Sequence, residues 1–257
     1  MIKSSSQDKL QCIEVEQKFC TSNLAQVQSK LTQMGFKANT STVQFMDWYF
    51  DLPSLPLCTQ DFWLRYRHPS DISQGSWQLK RGKRISNGNL SGSSATRTST
   101  VYEELEGDDA LDVVESLLIE KSIQIEPAAN GGESCGKMDG FLVPELPRLG
   151  KYGIQPFARI ETIRSSWKSD DTSADQAYKG ITVDLDGTDY GYTVGEVELV
   201  VQTNDEIDKA RDRVQVVIQE ITGNGSSRAL GKLETYLIEN KPEVYDACVK
   251  AGSMRDS

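Results

Sequence analysis

The chain has 257 residues, of which 37% are hydrophobic and 26% are charged, so it is long enough for one large domain with a substantial apolar core. Its net charge is −10, from 28 Lys and Arg residues against 38 Asp and Glu residues. This acidic balance argues against a general nucleic-acid-binding protein, which needs basic surface to neutralise phosphates. It still allows a local basic cluster that binds one small phosphorylated ligand.

Cysteine and histidine usage narrows the chemistry and the compartment. The five cysteines, an odd number without a CxxC pair, argue against a disulfide framework and fit a reducing compartment. His68 is the only histidine, so a metal site built from several histidines is excluded. No apolar stretch follows a basic start, and no apolar run approaches the ~20 residues that span a bilayer. We therefore expect a cytoplasmic protein without a membrane partner.

Hydrophobic periodicity predicts about eight strands and four or five helices. In chain order, the predicted elements are a strand at Cys12–Phe19, a helix at Asn23–Met34, strands at Thr42–Asp51, Phe62–His68, Ser76–Lys83 and Thr98–Glu106, a helix at Asp108–Ile123, strands at Phe157–Ser169, Gly180–Leu185 and Gly191–Gln202, and helices at Asp205–Ile221, Ser227–Glu239 and Pro242–Lys250. The Gly-rich and Pro-rich stretches 85–99 and 126–156 predict loops. Antiparallel strands that leave no free edge do so by closing into a barrel.

Charged residues recur at every second position in several predicted strands. Because successive strand side chains point to opposite faces, Glu14, Glu16 and Lys18 share one face. One such strand is typical of a half-buried strand with a solvated face. The same period recurs, however, in the pairs Arg65 and Arg67, Gln78 and Lys80, Tyr102 and Glu104, Asp184 and Asp186, and Glu196 and Glu198. We interpret these faces as the lining of one polar interior, with the apolar faces packed outward against helices.

The two signs of charge indicate the kind of ligand. Donors suited to phosphate oxygens are Lys18, Arg65, Arg67 and Lys80. Hard oxygen ligands suited to Mg²⁺ or Mn²⁺ are Glu14, Glu16, Asp184, Glu196 and Glu198. Unpaired buried charge is costly. A polyanion bound to the basic residues and bridged to the carboxylates by divalent cations would neutralise both sets of charges. Metal-assisted phosphoryl transfer uses this arrangement.

One motif, Glu14-Val15-Glu16-Gln17-Lys18, matches the ExExK motif of the CYTH superfamily, also called the triphosphate tunnel metalloenzymes. Further segments resemble its thiamine triphosphatase branch, in the order of that family: Asp47–Asp51, Trp63–Arg67, Trp77–Lys80, Glu104–Leu105, Arg164–Lys168, Val183–Asp186, Gly191–Glu198 and Lys232–Leu233. The resemblance implies an α+β fold, an eight-stranded antiparallel closed β-barrel with flanking helices. It also implies one tunnel domain over residues 1–257, with its core at about 12–240.

The activity that the resemblance implies is hydrolysis of thiamine triphosphate to thiamine diphosphate and phosphate, with Mg²⁺ as cofactor and Mn²⁺ as a second possibility. We expect a monomer whose partner is this small triphosphate. The residues that would hold the triphosphate are Lys18, Arg65, Arg67, Lys80, Arg164 and Lys232. Those that would bind metal, directly or through water, are Glu14, Glu16, Asp184, Glu196 and Glu198.

Two aromatic residues receive roles from the same resemblance. Tyr49 and Lys80 match a Tyr–Lys pair near which family members are thought to activate water. The alternative is that a metal-held carboxylate activates the water. Tyr49 would then only pack in the barrel wall, and Lys80 would only bind phosphate. Trp63 matches a tryptophan of the vertebrate thiamine triphosphatases, so it is expected to stack on the cationic thiazolium at the tunnel mouth. The alternative is that Trp63 is ordinary core. By parity, Arg159 and Glu161 lie on the face opposite Arg164.

Other functions stay open on the sequence alone. An inorganic tripolyphosphatase would use the same lumen without recognising an organic group. A non-catalytic polyphosphate-binding tunnel would need only the basic half, and an adenylyl cyclase of the same superfamily would release cyclic AMP from ATP. A purely structural barrel would be unaffected or stabilised by the loss of lumen charges.

Overall fold

The fold is built from eleven strands and five helices in the part of the chain that can be described. The computed structural model describes residues 13–20, 23–72, 74–82, 99–120, 137–138, 141–142, 148–169, 177–223 and 229–255. The strands are β1 (Ile13–Phe19), β2 (Phe36–Ala38), β3 (Val43–Asp51), β4 (Phe62–Pro69), β5 (Ser76–Gly82), β6 (Thr100–Glu106), β7 (Lys137–Met138), β8 (Phe141–Leu142), β9 (Gln155–Ser169), β10 (Thr182–Thr188) and β11 (Thr193–Val201). The helices are α1 (Leu24–Gln33), α2 (Gly107–Glu120), α3 (Ile207–Thr222), α4 (Lys232–Asn240) and α5 (Pro242–Ala251).

Eight of the strands close into an antiparallel barrel, which confirms the predicted fold. The order around the barrel is β9, β10, β11, β1, β6, β5, β4 and β3, and β3 pairs again with β9. The 15-residue strand β9 closes the ring because it pairs with β3 over its first part and with β10 over its second. Strand β2 adds to the end of β9, and β7 and β8 form a separate hairpin.

The strand register brings the predicted charged residues to one interior face. Lys18 lies opposite Glu196, which in turn lies opposite Asp184. Lys80 lies opposite Glu104 in the neighbouring part of the barrel. Directly opposed residues of an antiparallel pair share a face, so these positions line a common lumen.

Helices cover the apolar outer faces of the barrel. Helix α3 packs on β1 and β11, where Val214 and Ile218 join Val15 and Val197 in one buried cluster. Helix α2 packs on β5 and β6 through a second cluster. The buried apolar stripe of each helix thus supplies the partner that the outward strand faces need. Among the described helices, none is both long enough and apolar enough to cross a bilayer.

The C-terminal pair α4 and α5 packs against the barrel and a short 3₁₀ turn at Cys58–Gln60. Helix α4 begins at Lys232 rather than at the predicted Ser227, because Gly231 is extended and its N–H donates to the Glu234 carboxylate at 3.2 Å. This late start matters for the site, since it places Lys232 in the first turn of α4, beside the lumen.

Other differences from the predicted elements are local. Strand β10 runs through Thr188 instead of ending at Leu185, and it starts after a turn in which the Ile181 N–H donates to Tyr178 O at 3.0 Å. Strand β2 was not predicted, since three residues are too few to show a period. The hairpin β7–β8 and a 3₁₀ turn at Gly150–Tyr152 fall in the predicted loop 126–156. Most of that loop and residues 85–98 of the other lie outside the described residues.

Candidate active site

A cavity of about 600 Å³ occupies the barrel lumen, within the range of sites that enclose a small molecule. The charged strand faces line it, together with Lys232 of α4 and the C-terminal residues Ser253 and Met254. Of the predicted site residues, Asp184 lies behind Arg164 and does not line the cavity. The lumen is therefore a charged chamber, lined in part by the start of α4 and by the residues that follow α5.

Carboxylates gather on one wall of the lumen. Glu14, Glu16 and Glu196 each offer an oxygen atom, and these three atoms lie within 4.8 Å of one another. Burial, with repulsion from Glu14, Asp184 and Glu196, raises the pKa of Glu198 to about 9. Burial and the nearby Glu196 raise the pKa of Glu16 to about 7. Crowded carboxylates are a donor set that fits a hard divalent cation, because the cation would relieve their mutual repulsion.

Two lysines bridge this acidic wall. The Lys18 ammonium contacts Glu16 and lies 2.7 Å from Glu196 Oε1. The Lys80 ammonium lies 2.7 Å from Glu14 Oε2 and 2.9 Å from Glu16 Oε2. Burial lowers the pKa of both lysines, but the carboxylates more than offset it, and each pKa lies above the ordinary lysine value. Both groups are therefore cations, held where an anionic ligand would meet the acidic wall.

Two arginines of β4 share the buried carboxylate Asp47. Arg67 binds Asp47 in a bidentate pair, with Nε 2.7 Å from Oδ1 and Nη2 2.6 Å from Oδ2. Arg65 Nη1 lies 3.7 Å from Asp47 Oδ2, and Arg65 Nε donates to Gln78 Oε1 at 2.8 Å. Burial alone would raise the pKa of Asp47, but Arg67 and Arg65 reverse the effect and hold it below its usual range. Asp47 was missed as a site residue, although it shares its strand face with Tyr49.

A second basic group combines β9 and α4. Arg164 donates from Nε and Nη2 to the two Asp186 oxygens at 2.7 Å each and also contacts Asp184. The Lys232 ammonium contacts Asp186 as well. Burial, reinforced by Arg164, lowers the pKa of Lys232 to about 8 although Asp186 opposes the change. Asp186, whose role the sequence left open, is thus the counterion of both cations.

Three cations from different elements converge on the ring of Phe45. Arg67 Cζ lies 4.0 Å, Arg164 Cζ 5.4 Å and Lys232 Nζ 5.3 Å from the ring centroid. Such contacts orient guanidinium and ammonium groups over an aromatic face. The two basic groups therefore form one patch suited to an extended polyanion. Phe45 was not predicted, and its parity with Asp47 was the available signal.

Tyr49 and Lys80, the predicted pair, both line the cavity, and no hydrogen bond joins them in the part of the chain that the structure describes. Burial and the nearby Asp47 raise the pKa of Tyr49, which packs against Ala158. The ring that the Lys80 ammonium faces is that of Tyr102, 5.3 Å from its centroid. Arg65 and Arg67 oppose the rise in the Tyr49 pKa without reversing it, and the Tyr49–Lys80 pair as general base stays a prediction.

Trp63 is both buried and part of the cavity lining. Its side chain is 8% exposed and packs with Leu237 and Tyr245 of the C-terminal helices. Its position two residues before Arg65 places it on the lumen face of β4. Arg159 and Glu161, excluded by parity, both contact Asp189 instead of lining the cavity.

The sequence matches one protein-family model and is similar to two known proteins along most of its length. A sequence model of the CYTH domain matches residues 12–228. The thiamine-triphosphatase of Homo sapiens is 29% identical over 244 residues, covering 95% of this chain and 92% of that protein. The thiamine-triphosphatase of Macaca fascicularis is 27% identical over 243 residues, with the same two coverages.

Two solved structures share the fold. A Vibrio parahaemolyticus protein studied as a candidate adenylate cyclase superposes with a TM-score of 0.51 at 16% identity, covering 88% of this chain and 98% of its own. A Pyrococcus horikoshii protein superposes with a TM-score of 0.51 at 17% identity, covering 88% and 99%. At sequence identities this low, the two superpositions support a shared fold and say nothing about a shared activity. Because the family match spans most of the sequence and the strands close into a charge-lined tunnel, the chain belongs to the CYTH domain family.

Proposed function

We propose that this protein hydrolyses thiamine triphosphate to thiamine diphosphate and phosphate inside the barrel, with Mg²⁺ or Mn²⁺ bound to the acidic wall. The observation that carries the proposal is one lumen in which a basic patch faces three carboxylate oxygens within 4.8 Å of one another. A triphosphate complements the basic side chains, and a divalent ion complements the carboxylates, so the two together fit both walls.

The basic side chains would bind the phosphate oxygens by exchanging partners. Arg67 and Arg164 already present their guanidinium forks to carboxylates, and a phosphate oxygen pair accepts the same bidentate geometry. Lys18 and Lys80 contact the carboxylates and line the cavity, so they can hold the end of the triphosphate nearest the acidic wall. Charge from these groups stabilises the transferring phosphoryl group without covalent chemistry by the protein.

The fit of a metal ion rests on the carboxylates themselves. The residues that would hold it are Glu14, Glu16, Glu196 and Glu198, with Asp184 behind them. When bound, a divalent ion supplies positive charge to the phosphoryl oxygens and lowers the pKa of a coordinated water. Of the two predicted acceptors of the water proton, a carboxylate is favoured over Tyr49, because burial and the nearby Asp47 raise the Tyr49 pKa and so disfavour its phenolate near neutral pH.

The thiamine end of the substrate is assigned to Trp63. Its indole lines the cavity on the same strand face as Arg65, so a bound triphosphate that reaches the arginines brings its organic end near the ring. The thiazolium is a cation, and an indole face attracts cations more strongly than other aromatic rings. The two thiamine-triphosphatases that match this chain along 95% of its length support this choice of substrate.

Phosphate release from thiamine triphosphate, inorganic triphosphate and ATP, measured side by side with Mg²⁺, tests the proposal. We expect the highest kcat/KM with thiamine triphosphate. We also expect Trp63→Ala to reduce it about tenfold more for thiamine triphosphate than for inorganic triphosphate, the order of one cation–π contact. A preference for inorganic triphosphate would instead indicate a tripolyphosphatase, and binding without any release would indicate a polyphosphate-binding tunnel.

A further inference from the structure

Asp61 has an uncommon backbone conformation next to the cavity. It follows the 3₁₀ turn Cys58–Gln60, immediately before β4, and its φ of 66° lies in the left-handed region. Residues other than glycine seldom adopt this region, although Asp and Asn tolerate it best. Two backbone bonds hold it there, since the Asp61 N–H donates to Cys58 O at 3.0 Å and its carbonyl accepts from the Gly82 N–H at 2.9 Å.

The Asp61 side chain binds the indole of Trp63. Trp63 Nε1 donates to Asp61 Oδ1 at 2.8 Å, and both residues line the cavity. The other carboxylate oxygen rests against Gly82, where a Cβ atom would lie only 1.5 Å from Asp61 Oδ2. Glycine at position 82 therefore leaves the space that the carboxylate needs. The backbone of β5, the left-handed residue and the indole thus form one connected unit.

We propose that Asp61 is a positioning residue that fixes the orientation of the Trp63 indole and thereby sets the preference for an organic cationic triphosphate over inorganic triphosphate. This inference rests on the proposed function. Attraction of a cation to an aromatic ring acts over the ring face, so the indole has to present that face to the cavity. A hydrogen bond from Nε1 fixes the ring rotation that packing with α4 and α5 would otherwise have to fix alone.

Four variants separate the side-chain bond from the backbone conformation. The readout is the ratio of kcat/KM for thiamine triphosphate to kcat/KM for inorganic triphosphate, and the change is expected in KM for thiamine triphosphate. Asp61→Ala should lower this ratio about tenfold, comparable to the loss of the stacking contact itself. Asp61→Gly should lower it equally, because glycine accepts the left-handed φ but offers no acceptor. Asp61→Asn should keep the ratio within about twofold, because its amide oxygen accepts the same bond. Gly82→Ala should lower the ratio as Asp61→Ala does, since the new methyl group displaces the carboxylate.

A double-mutant cycle distinguishes positioning from general damage. In a Trp63→Phe background, where no indole N–H exists, Asp61→Ala should leave the ratio unchanged from that of Trp63→Phe alone. Far-ultraviolet circular dichroism of each variant checks the fold. A normal ratio in Asp61→Gly, or an equal loss from Asp61→Ala with and without the indole, would overturn the inference. If the wild-type protein shows no preference for thiamine triphosphate, both the proposed function and this inference are wrong. If the wild type shows the preference and Asp61→Ala keeps it, only this inference is wrong.

Discussion

Replacing Glu198 by Gln should change how the stability of the metal-free protein depends on pH. The Glu198 carboxyl is half-buried and its pKa is raised to about 9 by burial and by Glu14, Asp184 and Glu196. In the unfolded chain, a glutamate has a pKa of about 4.3. The folded protein therefore holds a proton between these values that the unfolded chain releases. Folding stability contributed by this group is present below about pH 4 and is lost as the pH rises toward 9.

The size of the loss follows from the two pKa values. One retained proton lowers the free energy of unfolding by about 1.36 kcal/mol for each pH unit in this window. From about pH 5 to about pH 8 the wild-type protein should lose about 4 kcal/mol from this group. Glutamine has no such proton, so Glu198→Gln should lack this part of the fall. The variant should equal the wild type near pH 4 and exceed it in stability near pH 8.

Urea denaturation in EDTA across this pH range measures the difference. Glu120→Gln, at the exposed end of α2, is the matched control and should follow the wild-type curve. Added Mg²⁺ should restore more stability to the wild type near pH 8 than near pH 6, because the bound ion replaces the proton. Parallel curves for Glu198→Gln and the wild type would refute the crowding of carboxylates on which the metal site depends.

Further predictions concern the two basic groups and their counterions. Lys18→Ala and Glu196→Ala should each reduce kcat/KM for the preferred triphosphate by about 100-fold or more, because each removes charge that stabilises the transition state. Circular dichroism should stay unchanged in both variants. Near-normal turnover in both would refute the assignment of these residues to the active site. Asp47→Ala should lower the free energy of unfolding by about 3 kcal/mol, since it leaves the half-buried Arg67 without its carboxylate. A change within error in chemical denaturation would contradict this. Because the Lys232 pKa is about 8, KM for inorganic triphosphate should rise above about pH 8 as the ammonium loses its proton. Lys232→Arg should flatten that rise, since arginine keeps its charge. An unaltered pH profile in this variant would exclude Lys232 from substrate binding.

The lumen was predictable from sequence because strand side chains alternate faces. Lys18, Lys80 and Glu196 each follow a period of two within their own strands, and the register then places them on one interior surface. The resemblance to the CYTH superfamily implied the barrel closure, while the helix boundaries depended on caps. The start of α4 at Lys232 required the backbone of Gly231, which composition does not reveal.

The counterions and cross-strand pairs were harder to predict because they depend on distances between strands. Nothing in the local pattern around Asp47 indicates that Arg67 of the next strand binds it. The Tyr49–Lys80 pair came from resemblance, whereas the contact of the Lys80 ammonium with the Tyr102 ring, 5.3 Å from its centroid, was not predicted. The bond between Asp61 and Trp63 depends on a left-handed residue that sequence alone does not specify. The single domain over residues 1–257, the monomeric state and the cytoplasmic location stay predictions.

The most direct test of metal-dependent catalysis in the tunnel is the initial rate of phosphate release from thiamine triphosphate as Mg²⁺ is titrated into metal-free protein. We predict no turnover above the uncatalysed rate in EDTA and a saturable rise with Mg²⁺. The same titration with Glu196→Ala, which removes one of the three clustered carboxylates, should require more Mg²⁺ and reach a much lower rate. Full turnover in EDTA, or no phosphate release at saturating Mg²⁺, would contradict the account.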